Sequence, residues 1–194
     1  MQHEERTATT TDIDAAARRV LDGRCLVLVG LMGAGKSVIG RMTASRLDLP
    51  FVDSDHEIER VSRMSIGDLF ELYGEDEFRA LEARVIARLI ETGPRILSTG
   101  GGAFIAERTR ALVKERALSL WLDADIETLW GRVKRRDTRP LLRTADPKAT
   151  LQALMDERYP VYAEADLAVQ SRDVGKHVVV DEVLETLARH GDGR

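Results

Sequence analysis

Short, almost unbroken apolar runs alternate along this chain with stretches whose apolar residues recur every three or four positions. Five runs have the first character: residues 25–30, 50–55, 95–100, 118–124 and 166–171. In CLVLVG, RILSTG and LSLWLDA the apolar residues follow one another instead of alternating with polar ones, as expected of parallel strands covered on both faces. The intervening periodicity predicts helices over 36–47, 66–73, 75–91, 107–115, 126–136, 149–158 and 174–189. A shorter amphipathic helix is expected ahead of the first strand, capped by Thr11 with Asp14 three residues on, and with Ile13, Ala17, Val20 and Leu21 on one face. Strands and helices in alternation imply an α/β fold of three layers, a central five-stranded parallel sheet sandwiched by helices. With no internal repeat and no break in composition, one domain is expected over 24–189, after a partly disordered extension (1–23) and before a flexible tail (190–194). Ligands in such sheets bind beyond the carboxyl ends of the strands, so the residues closing each run come first as candidates.

Composition narrows the classes. A chain of 194 residues buries an adequate core without metals or disulfides. Its single cysteine, Cys25, forms no intramolecular disulfide and fits a reducing compartment. Cys25, Trp121 and Trp130 read as packing positions. Residues 1–11 lack the apolar stretch of a secretory signal, and Glu4 and Glu5 count against an organellar transit peptide. No apolar run approaches the roughly 20 residues of a membrane span, so a cytoplasmic protein without a membrane partner is expected. With net charge −4 and pI ≈ 5.7, no global positive field recruits nucleic acid.

Gly30-Leu31-Met32-Gly33-Ala34-Gly35-Lys36-Ser37 satisfies G-x-x-x-x-G-K-[ST] between the first strand and the following helix. Such glycines let backbone N–H groups turn inward on phosphate oxygens, and the helix start adds positive potential. A nucleoside triphosphate, ATP, is the expected ligand, with Lys36 reaching its β- and γ-phosphates and the Ser37 hydroxyl binding Mg2+. The second run closes with Asp53 and Asp55. Alternation along a strand puts both carboxylates on one side, near the cradle if the first two strands are neighbours. P-loop enzymes usually take a second magnesium ligand from an Asp ending the third strand, which here ends Ser98-Thr99; Asp53 is the nearest candidate by type. Asp55 is a candidate to accept or orient the proton of an attacking hydroxyl, or to cap a helix beginning at His56, and the two roles are compatible. His56 itself reads as an exposed helix residue.

Gly100-Gly101-Gly102 follows the third strand. Three adjacent glycines are conformationally costly, which points to close approach of a ligand to the backbone, or else to a plain hinge. Arg79 and Glu82 make an i,i+3 pair of a kind common on helix surfaces. Arg158 is expected to end its helix, because Tyr159 precedes Pro160, and would there complement the helix dipole. A site that grips a carboxylate in bidentate fashion would nevertheless use arginine. Arg132, Lys134, Arg135, Arg136, Arg139 and Arg143 form a basic cluster in an acidic chain. No aromatics interleave with it, which disfavours nucleic acid. The proline-flanked loop from Arg139 to Pro147 reads as a lid that excludes water from the γ-phosphoryl group and adds a cation.

In this order and approximate spacing, GLMGAGKS, FVDSD, FRALE, GGG, RPLL and ERYPVY resemble the shikimate kinase family over residues 24–187. The first motif is shared with thousands of unrelated proteins; its combination with DSD, FR, GGG and RPLL is specific. The resemblance implies a P-loop kinase fold with a lid; a monomer is expected. It also implies transfer of the ATP γ-phosphoryl group to the 3-hydroxyl of shikimate, giving shikimate 3-phosphate and ADP on the route to chorismate and the aromatic amino acids. It further implies that Gly33, Ala34, Gly35, Lys36, Ser37 and Val38 cradle the nucleotide, that Lys36 and Arg139 stabilise the transferring group, and that Ser37 and a water-linked Asp53 hold Mg2+. Asp55 would engage the substrate hydroxyls, Arg79 and Arg158 its carboxylate, Gly101 would contribute a backbone donor, and Arg132 would stack on adenine. Val38 departs from the Thr of many relatives, and the N-terminal extension exceeds the family minimum. Another small-molecule P-loop kinase, for gluconate or a nucleoside monophosphate, shares the cradle and lid. A non-catalytic nucleotide-binding module should have lost a Lys, Asp or lid Arg, yet Lys36, Asp53, Asp55 and Arg139 are all present.

Overall fold

In the computed structural model, which describes residues 9–134, 140–142 and 144–192, the apolar runs form β1 (Leu26–Val29), β2 (Phe51–Asp53), β3 (Ile96–Ser98), β4 (Leu118–Asp123) and β5 (Leu167–Gln170). All pair in parallel in the order β2-β3-β1-β4-β5. The central β1 is buried along its whole length, as its continuous apolar run requires. In β5, an edge strand, burial alternates: Leu167 and Val169 face the core while Ala168 and Gln170 are exposed. The strands are shorter than the apolar runs, which frees their last residues for loops. β1 and β2 are not neighbours, because β3 lies between them.

The helices are α1 (Thr10–Leu21), α2 (Lys36–Arg46), α3 (Ser54–Ser62), α4 (Ile66–Glu91), α5 (Glu107–Arg116), α6 (Ile126–Val133), α7 (Pro147–Tyr162) and α8 (Lys176–Asp192). α4 is broken at Gly74 (φ 80°, ψ 175°), in keeping with the two separate helices expected there. Of the expected lid, a 3₁₀ turn at Pro140–Leu142 is described; Arg135, Arg136, Arg139 and Arg143 lie outside the described residues. Among the described residues no helix is long and apolar enough to cross a membrane.

α7 and α1 depart from expectation for identifiable reasons. α7 does not stop at Arg158 but runs through Pro160 to Tyr162. The bias of a pre-proline residue away from helix is outweighed by aromatic burial. Tyr162 is fully buried, and Trp121 packs edge-on against Tyr159 with ring centroids 5.0 Å apart. The cap of α1 lies two residues earlier than expected. Thr9, not Thr11, is its cap, in a reciprocal box with Asp12 instead of Asp14.

Asp14 is used elsewhere. It accepts Arg46 Nη2 at 2.6 Å and Nε at 2.8 Å, while Arg46 Nη1 donates to Asp181 at 2.9 Å. One guanidinium thus ties α1, α2 and α8 together, and Arg18 adds a 2.7 Å bond to the Leu47 carbonyl at the end of α2. Arg46→Ala is expected to cost about 1–2 kcal/mol, the scale of a partly exposed charge network with one bidentate pair. Thermal denaturation should show a midpoint lower by several degrees; an unchanged midpoint would deny the clamp energetic weight.

Candidate active site

The carboxyl ends of all five strands converge on one region. After β1 the chain turns through the glycine loop, where Ala34 N–H closes on the Leu31 carbonyl at 3.2 Å. Gly33 (φ 86°) and Gly35 (φ 97°) hold left-handed conformations that a side chain would strain. A methyl group at Gly33 would also strike Val133 Cγ1 at 2.8 Å. Lys36 opens α2 and folds back over the loop, its Nζ donating to the carbonyls of Gly30 at 2.7 Å and Leu31 at 3.1 Å. Val38, two residues on, is 46% exposed.

Asp53 does reach the cradle, although its strand is not adjacent to β1. α2 packs across β1, β3 and β2, and so Ser37 Oγ donates to Asp53 Oδ2 at 2.9 Å. The other oxygen, Oδ1, accepts the Asp55 N–H at 3.1 Å and caps α3. The cap of this helix is therefore Asp53, not Asp55, and Asp55 sits in the first turn of α3 instead of closing the strand. Burial, reinforced by repulsion from Asp53, raises the Asp55 carboxyl above the usual range, against the pull of the Lys36 cation. His56 is exposed.

The glycine triplet is required for space. None of its φ angles is left-handed, so backbone freedom is not the reason. A methyl group on Gly100 would lie 2.7 Å from Asp55 Oδ1 and 3.2 Å from Glu82 Oε1. One on Gly102 would lie 2.7 Å from Arg79 Cζ and overlap its guanidinium nitrogens. At Gly101 it would be 3.6 Å from Tyr162 Oη and 3.7 Å from both Arg158 Nη1 and the Gly30 carbonyl, ordinary contact distances. The triplet is tied to its neighbours: Gly100 N–H donates to the buried Ser54 Oγ at 3.3 Å, and Thr99 Oγ1 to the Leu28 carbonyl at 3.0 Å. Asp55, Arg79 and Arg158 are thereby gathered around one short segment that also touches Gly30, the start of the phosphate loop.

The two arginines are held differently. Arg79 Nη1 donates to Glu82 Oε2 at 2.7 Å, with Glu75 further out at 3.3 Å. Glu82 is 1% exposed, so this is not a surface pair. Burial raises the Glu82 carboxyl, and the Arg79 cation opposes that rise. Arg158 is mostly buried, and its Nε has no hydrogen-bond partner. A buried guanidinium N–H left without an acceptor is costly, and an incoming carboxylate would relieve it. Tyr162, four residues on, donates its hydroxyl to the Gly101 carbonyl. Burial pushes that phenol up to about 12, against the pull of Arg158, so it remains a donor. Motif reading took Glu82 for half of a surface pair and passed over Tyr162. The i,i+4 spacing of Arg158 and Tyr162 would have paired them had the helix been carried through Pro160.

On the opposite side of the loop, Arg132 Nη1 donates to the carbonyls of Gly33 (3.0 Å) and Ala34 (3.4 Å), and Nη2 to that of Arg172 (2.6 Å). These bonds occupy the edge of the guanidinium and leave its faces for stacking. Among the described residues no cluster of three or more His, Cys, Asp or Glu forms a metal cage.

Comparison with known proteins agrees with this fold. The shikimate kinase family model matches residues 32–188. A shikimate kinase of Rhizobium meliloti (strain 1021) is 63% identical over 174 residues, 90% of this chain and 91% of the relative. The crystal structure of shikimate kinase from Acinetobacter baumannii in complex with shikimate superposes with a TM-score of 0.83 at 32% identity, covering 90% of this chain and 98% of the other. A gluconokinase from Sinorhizobium meliloti 1021 reaches a TM-score of 0.58 at 18% identity over 88% of this chain and 94% of the other, a likeness of fold alone. With a parallel sheet in the order β2-β3-β1-β4-β5, a glycine loop at its centre and a 63% identical relative along nine-tenths of its length, the chain belongs to the shikimate kinase family of ATP-dependent phosphotransferases.

Proposed function

We propose that shikimate lies against Gly100–Gly102 with its carboxylate between Arg79 and Arg158, and that ATP lies in the glycine loop with its γ-phosphoryl group directed toward the 3-hydroxyl. The observation that carries this is the placement of one carboxylate and two guanidinium groups around a segment whose central glycine meets its neighbours only at ordinary contact distances. Arg158 Nε, buried and without an acceptor, supports a carboxylate ligand in particular. The Gly101 backbone supplies a further donor, Asp55 orients the ring hydroxyls, and Lys36 neutralises charge on the transferring group. Arg139, outside the described residues, is assigned to the same charge. Gly33, Ala34, Gly35, Ser37 and Val38 complete the phosphate cradle, and a face of Arg132 takes the adenine.

Ser37 Oγ and Asp53 Oδ2, 2.9 Å apart, form an oxygen pair of the type Mg2+ uses when one or two protein ligands are supplemented by phosphates and water. Bound there, Mg2+ supplies charge neutralisation at the phosphates. The enzyme is proposed to work as a cytoplasmic monomer. An ADP-release assay at fixed ATP with shikimate and gluconate tests the acceptor: turnover of shikimate alone is expected, and comparable turnover of gluconate would overturn the assignment.

Arg158→Ala is expected to raise KM for shikimate roughly 10- to 100-fold, the scale of a lost charged hydrogen bond. KM for ATP should change less than about twofold, since Arg158 adjoins the triplet and not the cradle. Equal loss of both would place Arg158 outside the acceptor pocket.

A further inference from the structure

Ser171 follows β5, the strand furthest from the acceptor pocket, and no motif marks it. It is nevertheless 3% exposed, and its hydroxyl is fully engaged. Ser171 Oγ donates to the Ala34 carbonyl at 2.7 Å and accepts from Arg132 Nη1 at 2.9 Å. Its own N–H donates to the Asp123 carbonyl at the end of β4, which fixes the residue against the sheet. Both Ser171 Oγ and Arg132 Nη1 lie 3.9 Å from where a side chain on Gly35 would begin. Hydroxyl and guanidinium thus form a wall behind the phosphate loop.

The consequence follows from peptide geometry. In a trans peptide the C=O of one residue and the N–H of the next point in opposite directions. The described residues contain no cis peptide, so holding the Ala34 carbonyl against the wall turns the Gly35 N–H away from it. On the preceding peptide, Arg132 holds the Gly33 carbonyl while Ala34 N–H closes on Leu31. A loop of successive N–H groups binds anions in proportion to how well they are aimed beforehand.

We infer that Ser171 is a positioning residue of the phosphate loop: with Arg132 it locks the Ala34–Gly35 peptide so that the loop is set for phosphate before any adenosine arrives. The inference rests on the nucleotide site proposed above. Because the segment after Ser171 also carries the Arg172 carbonyl bound by Arg132, the two ends of the nucleotide site share this hydroxyl.

The test compares wild type with Ser171→Cys, a nearly isosteric change that replaces a strong donor and acceptor with a weak one. Titration calorimetry with ADP and with inorganic tripolyphosphate is paired with KM for shikimate. Both phosphate ligands should bind about tenfold more weakly in Ser171→Cys, the scale of one buried hydrogen bond left unmade, with KM for shikimate unchanged. Ser171→Thr, which keeps the hydroxyl, should recover both affinities. Weakened ADP with unaltered tripolyphosphate would locate the effect on the adenine side and overturn the inference, as would no effect on either. Wild type that binds ADP but not tripolyphosphate would show that the loop is not set in advance, and would also overturn it. Wild type that fails to bind ADP would instead refute the nucleotide site itself.

Discussion

Lys36→Met is expected to lower kcat by about a thousandfold or more, on the scale of removing a preorganised charge from a phosphoryl-transfer site. The ammonium is held at the loop by bonds to the Gly30 and Leu31 carbonyls, beside the proposed phosphate site. Methionine keeps an unbranched apolar stem of similar reach and removes the ammonium, with both its charge and its N–H donors. The fold should therefore persist, with a circular dichroism spectrum and unfolding midpoint close to wild type. The measurement is steady-state ADP release at saturating shikimate. Residual turnover within tenfold of wild type would mean that Lys36 does not meet the transferring group.

The second large effect belongs to Asp55→Asn, for which kcat should fall by about 10²–10⁴, the range associated with a positioned proton-handling group. Near-normal turnover would remove any such role and leave Asp55 as a shape-filling residue. Stability should move the other way. The folded-state pKa of Asp55 is raised by burial and by Asp53, so its stabilising contribution exists at low pH and is lost as pH rises through that value. At neutral pH the ionised carboxylate is a net cost to the ligand-free fold, and the neutral amide relieves it. Asp55→Asn should thus unfold at a temperature equal to or above wild type at pH 7, with the difference vanishing toward acid pH. A lower midpoint at pH 7 would show that the Asp55 carboxylate stabilises the fold by contacts that outweigh its burial.

Much of this site was legible because its chemistry is local. The spacing from Gly30 to Ser37 encodes a loop and the start of a helix within eight residues, and Asp53 and Asp55 stand out by type. What escaped the sequence was relative placement. The insertion of β3 between β2 and β1 follows no local rule, and Asp53 meets Ser37 by way of α2 instead of a strand pairing. Glu82 looks the same on paper whether its helix face is wet or dry; only packing reveals that Arg79 has a buried counter-ion. Pro160 misled for a physical reason: a local backbone preference yielded to the burial of Tyr159 and Tyr162, which are far apart in sequence from the Trp121 they pack on. The cap of α1 was misplaced because Asp14 answers to Arg46, which lies 32 positions away.

The glycine triplet carries a consequence for how its three positions would vary under different pressures. Gly100 and Gly102 are fixed by the protein's own atoms, since any added carbon meets Asp55 or Arg79. Gly101 has room for one carbon within the protein, so under the placement proposed above it is the occupant of the pocket that excludes it. A population screened for foldedness alone would accept alanine in the middle and reject it on either flank, while a population screened for phosphoryl transfer would return glycine at all three.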